Sequence, residues 1–259
     1  MLSGTVKVGI TSLCIALLLL SGYALPVQDS SDHVRNIVLV HGAWADGSGW
    51  KGVYDLLVRD GYNVSIVQEP ETSFQDDVAA VKRVLAMQDG PTILVAHSYG
   101  GSVITEAGND PSVVGLVYVA AHMPDVGETE AMNGKRFPSD LSKSDAIKKT
   151  PDDFEYLDPG QYHEYFCADL PAGQADFMAH SQVVTNETCF NTPITQAAWR
   201  SKPSSMVVPT KDRIINPDLE RWYAARAGSK MVEVPGASHC VYISHPEQVA
   251  ALIEEAARR

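Results

Sequence analysis

Six short segments of this chain are apolar enough to be strands: residues 36–40 (N-I-V-L-V), 62–67, 92–96, 113–120 (V-V-G-L-V-Y-V-A), 205–209 and 231–234. Most are apolar along their whole length, and a strand with no polar face has both sides buried. Between them the period changes to that of a helix. Residues 50–60 carry Val53, Leu56 and Leu57 on one face, residues 73–88 carry Val78, Val81, Val84 and Leu85, and residues 246–258 carry Val249, Leu252 and Ile253. Strands alternating with amphipathic helices fold into a mostly parallel sheet covered by helices on both faces. A chain of 259 residues is enough for one such domain with a full core.

In parallel sheets, ligands gather beyond the carboxyl ends of the strands. The third segment ends there in a pattern that carries chemistry. Residues 92–102 read T-I-L-V-A-H-S-Y-G-G-S. An apolar strand runs into Ser98, and paired glycines then open a helical pattern with Val103, Ile104 and Ala107. The serine stands at the tip of a sharp turn, where small residues two places either side avoid a collision across it. Those positions hold Ala96 and Gly100, so the pattern is G-x-S-x-G with its first glycine replaced by alanine. The Tyr99 N–H begins the next helix and faces an oxyanion forming on a group attacked by Ser98. A Gly-rich turn after a buried strand would read the same way in isolation.

Partners decide between those readings. A serine hydroxyl needs a base to take its proton and an acid to orient that base. Asp212 follows the strand at 205–209, in T-K-D-R-I-I-N-P, and His239 follows the strand at 231–234, in G-A-S-H-C. Serine, acid and histidine thus come in the chain order of an α/β-hydrolase, each on a loop at one sheet edge. Asp125, in the turn after residue 120, is the rival acid. His41, His97, His122 and His245 also lie near strand ends, but only His239 follows the acid and precedes the last helix. The turn His41-Gly42-Ala43-Trp44 closes the first strand and places Ala43 to give the second oxyanion donor.

Residues 122 to about 200 interrupt the alternation. They are rich in Asp, Lys, Pro and aromatics, with short helical patterns and no evident strand. An insertion here reads as a helical cap over the site, the part that commonly sets substrate choice.

At the amino terminus, Lys7, the apolar run 10–20 and the small residues Gly22 and Ala24 have the order of a signal peptide cleaved after Ala24. A polar linker, 25–35, leads to the domain at 36–259. The expectation is a secreted or periplasmic protein with no stable membrane insertion after cleavage. The formal charge is −12, and loss of Lys7 leaves 19 basic against 32 acidic residues, or −13. That argues against nucleic acid as a partner. Export permits disulfides. Cys14 would leave with the signal peptide; of the three that remain, Cys167 and Cys189 lie in one mid-chain segment and would close a loop worth on the order of 3 kcal/mol if bridged, leaving Cys240 unpaired. No metal-ligand spacing is present and no cofactor is implied; His163-Glu164 lacks the second histidine of H-E-x-x-H.

H-G-A-W with Trp50 beyond it, A-H-S-Y-G-G, T-K-D-R-I-I-N-P and G-A-S-H together resemble bacterial α/β-hydrolase esterases related to plant methylesterases and hydroxynitrile lyases. The resemblance covers nearly all of residues 36–259 and is weakest in the cap. It implies an eight-stranded sheet shortened at its front, a triad of Ser98, Asp212 and His239, oxyanion donors at Ala43 and Tyr99, and a substrate pocket at Gly42, Trp44 and Cys240. Cyanohydrin-cleaving members carry threonine where Gly42 stands and lysine where Cys240 stands. Glycine and cysteine supply neither that hydroxyl nor that charge, so hydrolysis of a small-molecule ester is the expected activity. Cyanohydrin cleavage and a ligand-binding receptor that keeps the triad without turnover are the alternatives.

Overall fold

A computed structural model describes residues 1–5 and 33–258 of the protein. The expected signal peptide and linker fall outside the described residues, apart from 1–5 and 33–35. Nine strands are described: β1 (Asn36–Val40), β2 (Asn63–Ile66), β3 (Thr92–Ser98), β4 (Val113–Ala121), β5 (Ile147–Lys149), β6 (Phe154–Leu157), β7 (Thr185–Asn186), β8 (Ser204–Pro209) and β9 (Lys230–Val234). Six of them form one sheet in the order β2-β1-β3-β4-β8-β9, and every pairing in it is parallel.

The helices α1 (Lys51–Arg59), α2 (Phe74–Leu85) and α3 (Gly100–Ala107) connect the first four strands. Their amphipathic faces give the sheet its cover: α1 packs with α10 (Pro246–Ala257), and α2 packs with α3. Every residue of β1 and of β3 is buried, as cover on both faces requires. The start of α2 follows from local chemistry, because the Ser73 hydroxyl accepts the Asp76 N–H at 3.1 Å while donating to the Asp76 carboxylate at 2.8 Å.

Between β4 and β8 the chain builds the cap: α4 (Glu130–Arg136), β5, β6, α5 (Pro159–Phe166), α6 (Ala172–Ser181), β7 and α7 (Thr188–Asn191). The strandless, helical cap expected from sequence is corrected here, since β5, β6 and β7 form an antiparallel three-stranded sheet. Its strands are two to four residues long. That is too short for a two-residue period to emerge from the sequence. Two further helices are α8 (Pro217–Ala227) and the single turn α9 (Val241–Ser244). No helix among the described residues is long and apolar enough to cross a membrane.

The β3–β4 register shifts twice, once after Thr92 and once after His97, and the second shift lies at Ser98. There His97 faces Val119 and Ser98 faces Ala121. Ala120 is left over, at φ +47°, beside Ser98 at φ +53°. A bulge of this kind re-aims the residues that follow it. Here it carries His122 across the serine, with the His122 N–H donating to the Ser98 carbonyl at 3.1 Å.

Candidate active site

Ser98 ends β3 in the left-handed region, which costs a non-glycine residue on the order of 1 kcal/mol or more and persists only where the surroundings enforce it. The chain then turns into α3, whose amino end is capped by Tyr99. The Ser98 Oγ makes no hydrogen bond among the described residues, and the residue is 5% exposed. It opens on a cavity of about 530 Å³ that is also lined by Ala43, Trp44, Phe137, Phe190 and Ile214.

Asp212 and His239 meet, although 27 residues separate them in sequence: His239 Nδ1 lies 2.6 Å from Asp212 Oδ2. The other Asp212 oxygen accepts the N–H groups of Ile214 and Ile215 at 2.7 and 2.9 Å. The carboxylate is thereby fixed in the loop after β8 before it meets the ring. Both side chains are fully buried, and His239 Nε2 has no partner among the described residues. The ring is braced on two sides. His97 Nε2 donates to the His239 carbonyl at 3.0 Å, and the Phe166 ring stands edge-on to the imidazole at 5.0 Å. Burial holds the His97 ring well below the usual histidine range, which keeps it neutral for that bond. Asp125, the rival acid, is engaged by Arg200 Nη2 at 2.7 Å.

Ala43 and Tyr99 flank the serine, and neither N–H is engaged by another group among the described residues. Trp44 follows Ala43 at φ +60°, and its carbonyl accepts the Tyr162 hydroxyl of α5 at 2.9 Å. Gly42 backs directly on Ser98, because a Cβ there would lie 2.5 Å from Ser98 Cβ. Of the three pocket residues expected from sequence, Trp44 lines the cavity, while Gly42 and Cys240 do not. Cys240 is fully buried, and burial, with Cys167 nearby, pushes its thiol up.

Two groups of acids, one part-buried and one fully buried, carry no signal in the sequence. The first faces the cavity: Glu130 Oε1 lies 3.2 Å from His122 Nε2, and its other oxygen accepts the Ser102 hydroxyl at 3.2 Å. Burial pushes Glu130 up to about 8 and His122 down to about 3. At neutral pH the pair is therefore a carboxylic acid donating to a neutral imidazole. Glu130 sits in the polar run G-E-T-E at a helix start, which reads as an ordinary solvated turn.

The second group lies under the oxyanion turn, where donor atoms of His41, Glu69 and Glu71 lie within 4.8 Å of one another. The Glu69 N–H donates to His41 Nε2 at 2.9 Å, so the proton of the neutral ring is on Nδ1, the atom facing Glu71. That ring atom donates a proton and is not free to bind a metal. Burial raises Glu71 to about 7 and Glu69 well above the carboxyl range. Asp77 completes the group by accepting the Glu71 N–H at 2.8 Å and the Tyr99 hydroxyl at 2.7 Å.

These acids make stability depend on pH with a definite sign. Below about 4.5 they are protonated in the folded and the unfolded chain alike, and cost nothing. As pH rises the unfolded chain ionises first, and stability is lost until pH passes about 7 for Glu71 and about 8 for Glu130. Glutamine at position 130 copies the protonated acid, donating to His122 and accepting from Ser102. Glu130→Gln is therefore expected to gain on the wild type between pH 5 and pH 8, reaching on the order of 1–3 kcal/mol in urea unfolding. A difference that stays flat with pH would refute this.

The comparisons with known proteins agree with the architecture. The model of the family described as "Alpha/beta hydrolase family" matches residues 37–252. A putative methylesterase of Arabidopsis thaliana is 26% identical over 86% of this chain and 97% of its own. A pyrethroid hydrolase of Sphingobium wenxiniae is 26% identical over 86% of this chain and 87% of its own. A solved structure of a pyrethroid hydrolase superposes with a TM-score of 0.72 at 24% identity, covering 86% of this chain and 96% of that one. With its parallel sheet, its strained serine at the end of β3 and a family match across nearly the whole folded region, the chain belongs to the α/β-hydrolase family.

Proposed function

We propose that the protein is an exported serine carboxylesterase that cleaves small to medium carboxylic esters through an acyl-enzyme on Ser98. The observation that carries this reading is the arrangement at the end of β3. A strained serine with a free hydroxyl opens on the cavity, and the His239–Asp212 pair is held 2.6 Å apart with the imidazole Nε2 unpartnered. His239 takes the Ser98 proton as the oxygen attacks the ester carbonyl, and Asp212 holds the ring tautomer and offsets its charge. The free N–H groups of Ala43 and Tyr99 receive the oxyanion, a role suited to donors fixed before the reaction. The alcohol leaves with the proton from His239. Water, activated by the same ring, then releases the acid and restores Ser98.

Support for an ester comes from the names of the relatives and from the shape of the cavity, whose walls are mainly aliphatic and aromatic. Cyanohydrin cleavage is disfavoured by local structure. A side chain at position 42 would strike Ser98 Cβ, and Cys240 presents no cation to a departing cyanide. Export rests on the amino-terminal pattern of Lys7, the apolar run 10–20 and Ala24.

The test is turnover of p-nitrophenyl acetate and butyrate, with mass mapping of the adduct left by a fluorophosphonate. Sustained release of p-nitrophenol and a single adduct on Ser98 are expected. No turnover, or an adduct elsewhere, refutes the assignment.

A further inference from the structure

The cap and the loop of the catalytic histidine meet along a short seam. On one side of it the Phe166 ring stands against the His239 ring at 5.0 Å. On the other, the Asp169 carboxylate accepts the Ser238 N–H at 3.1 Å and also the Ser238 hydroxyl. Residues 166 and 169 are thus held against 239 and 238; Cys167 lies between the first two, and Cys240 directly follows His239. Both are fully buried, and the nearby Cys167 thiol adds to burial in raising the Cys240 thiol. Cys167 caps the end of α5 and Cys240 the start of α9, so neither thiol is locked inside a continuous helix. The third thiol is committed elsewhere, because Cys189 Sγ donates to the Glu71 carbonyl at 3.7 Å and to Asp77 Oδ2 at 3.6 Å.

We propose that Cys167 and Cys240 are a disulfide pair that ties α5 of the cap to the His239 loop, with Cys189 remaining a thiol. The seam departs from the Cys167–Cys189 bridge that closeness in sequence suggested, and the reason is topological. The cap folds back over the sheet edge, so Cys167 meets a residue about 70 positions away, which is the long kind of loop that a bridge constrains most.

The chemistry is exchange with a small-molecule disulfide of the oxidised-glutathione class. One cysteine thiolate attacks that disulfide and expels one thiol, and the second cysteine attacks the mixed disulfide and expels the other. The two cysteines lose two electrons and two protons, and the oxidant leaves as two thiols. Burial pushes the Cys240 thiol up and disarms it in the folded protein. The bridge therefore forms as the chain folds, before the seam closes.

The reduced, unfolded full chain is refolded in a buffer of reduced and oxidised glutathione, quenched with iodoacetamide, digested and mapped by mass spectrometry. The peptides of Cys167 and Cys240 are expected joined, with Cys189 alkylated. The joined form should melt on the order of 10 °C above the same protein held in dithiothreitol. The Cys167→Ser, Cys240→Ser double variant should lose that difference. Full chain made in a host with an oxidising cytoplasm and trapped at lysis gives the same map without a refolding step. Free Cys167 and Cys240 in these samples, or either one joined to Cys189, overturns the proposal. The map reads linkage alone, so its result is independent of whether the protein turns over esters.

Discussion

Ser98→Ala is expected to lower kcat/KM for p-nitrophenyl acetate by roughly four to six orders of magnitude, because base and oxyanion donors have nothing to act on without the hydroxyl. The fall should lie in kcat, with KM little changed, since the cavity walls stay in place. The fold should be unaffected: Ser98 Oγ makes no hydrogen bond among the described residues, and alanine tolerates the backbone no worse than serine. His239→Ala should produce a loss of similar size, and the double variant should be no worse than either single one, because groups that act as a unit do not add. A Ser98→Ala protein that keeps more than about 1% of the wild-type rate would show that esters are cleaved by another route.

The second large effect is on the fold. A Cβ added to Gly101 would sit 2.2 Å from the His122 carbonyl oxygen and 2.9 Å from Ala121 Cβ. Those atoms lie at the end of β4, where the His122 N–H is bonded to Ser98, so they cannot retreat without opening the turn that carries Ser98. Gly101→Ala is therefore expected to cost more than about 4 kcal/mol, enough to leave the protein largely insoluble or unfolded at 37 °C. Gly134→Ala is the control. It lies in α4 with nothing within 4 Å of the added Cβ, and helix propensity alone should make it neutral or slightly stabilising. Equal melting temperatures for the two variants would contradict the close packing at the turn.

What the sequence disclosed and what it hid have physical reasons. The sheet was readable because β1, β3 and β4 are buried on both faces, which writes unbroken apolar runs into the chain. Ser98, Asp212 and His239 could be named together because parallel strands bring the loops after β3, β8 and β9 to one edge. The cap was less legible. Ile147-Lys148-Lys149 looks like a charged loop, and it becomes a strand only because residues 155–157 lie beside it. Glu69, Glu71 and Glu130 look like solvated carboxylates, and nothing local tells that the fold closes over them. The Cys167–Cys240 seam was hidden for the same cause, since closeness in the row favoured Cys189.

The fastening of α5 has a consequence for how material moves through the enzyme. Tyr162 grips the turn that holds Ala43, and Phe166 leans on the ring of His239, so this helix behaves as a fixed post between the two halves of the reaction centre. A post cannot also be a door. Traffic of reactant and product falls to the opposite flank, along α4 and the stretch from Phe137 to Ile147, which lines the rest of the chamber.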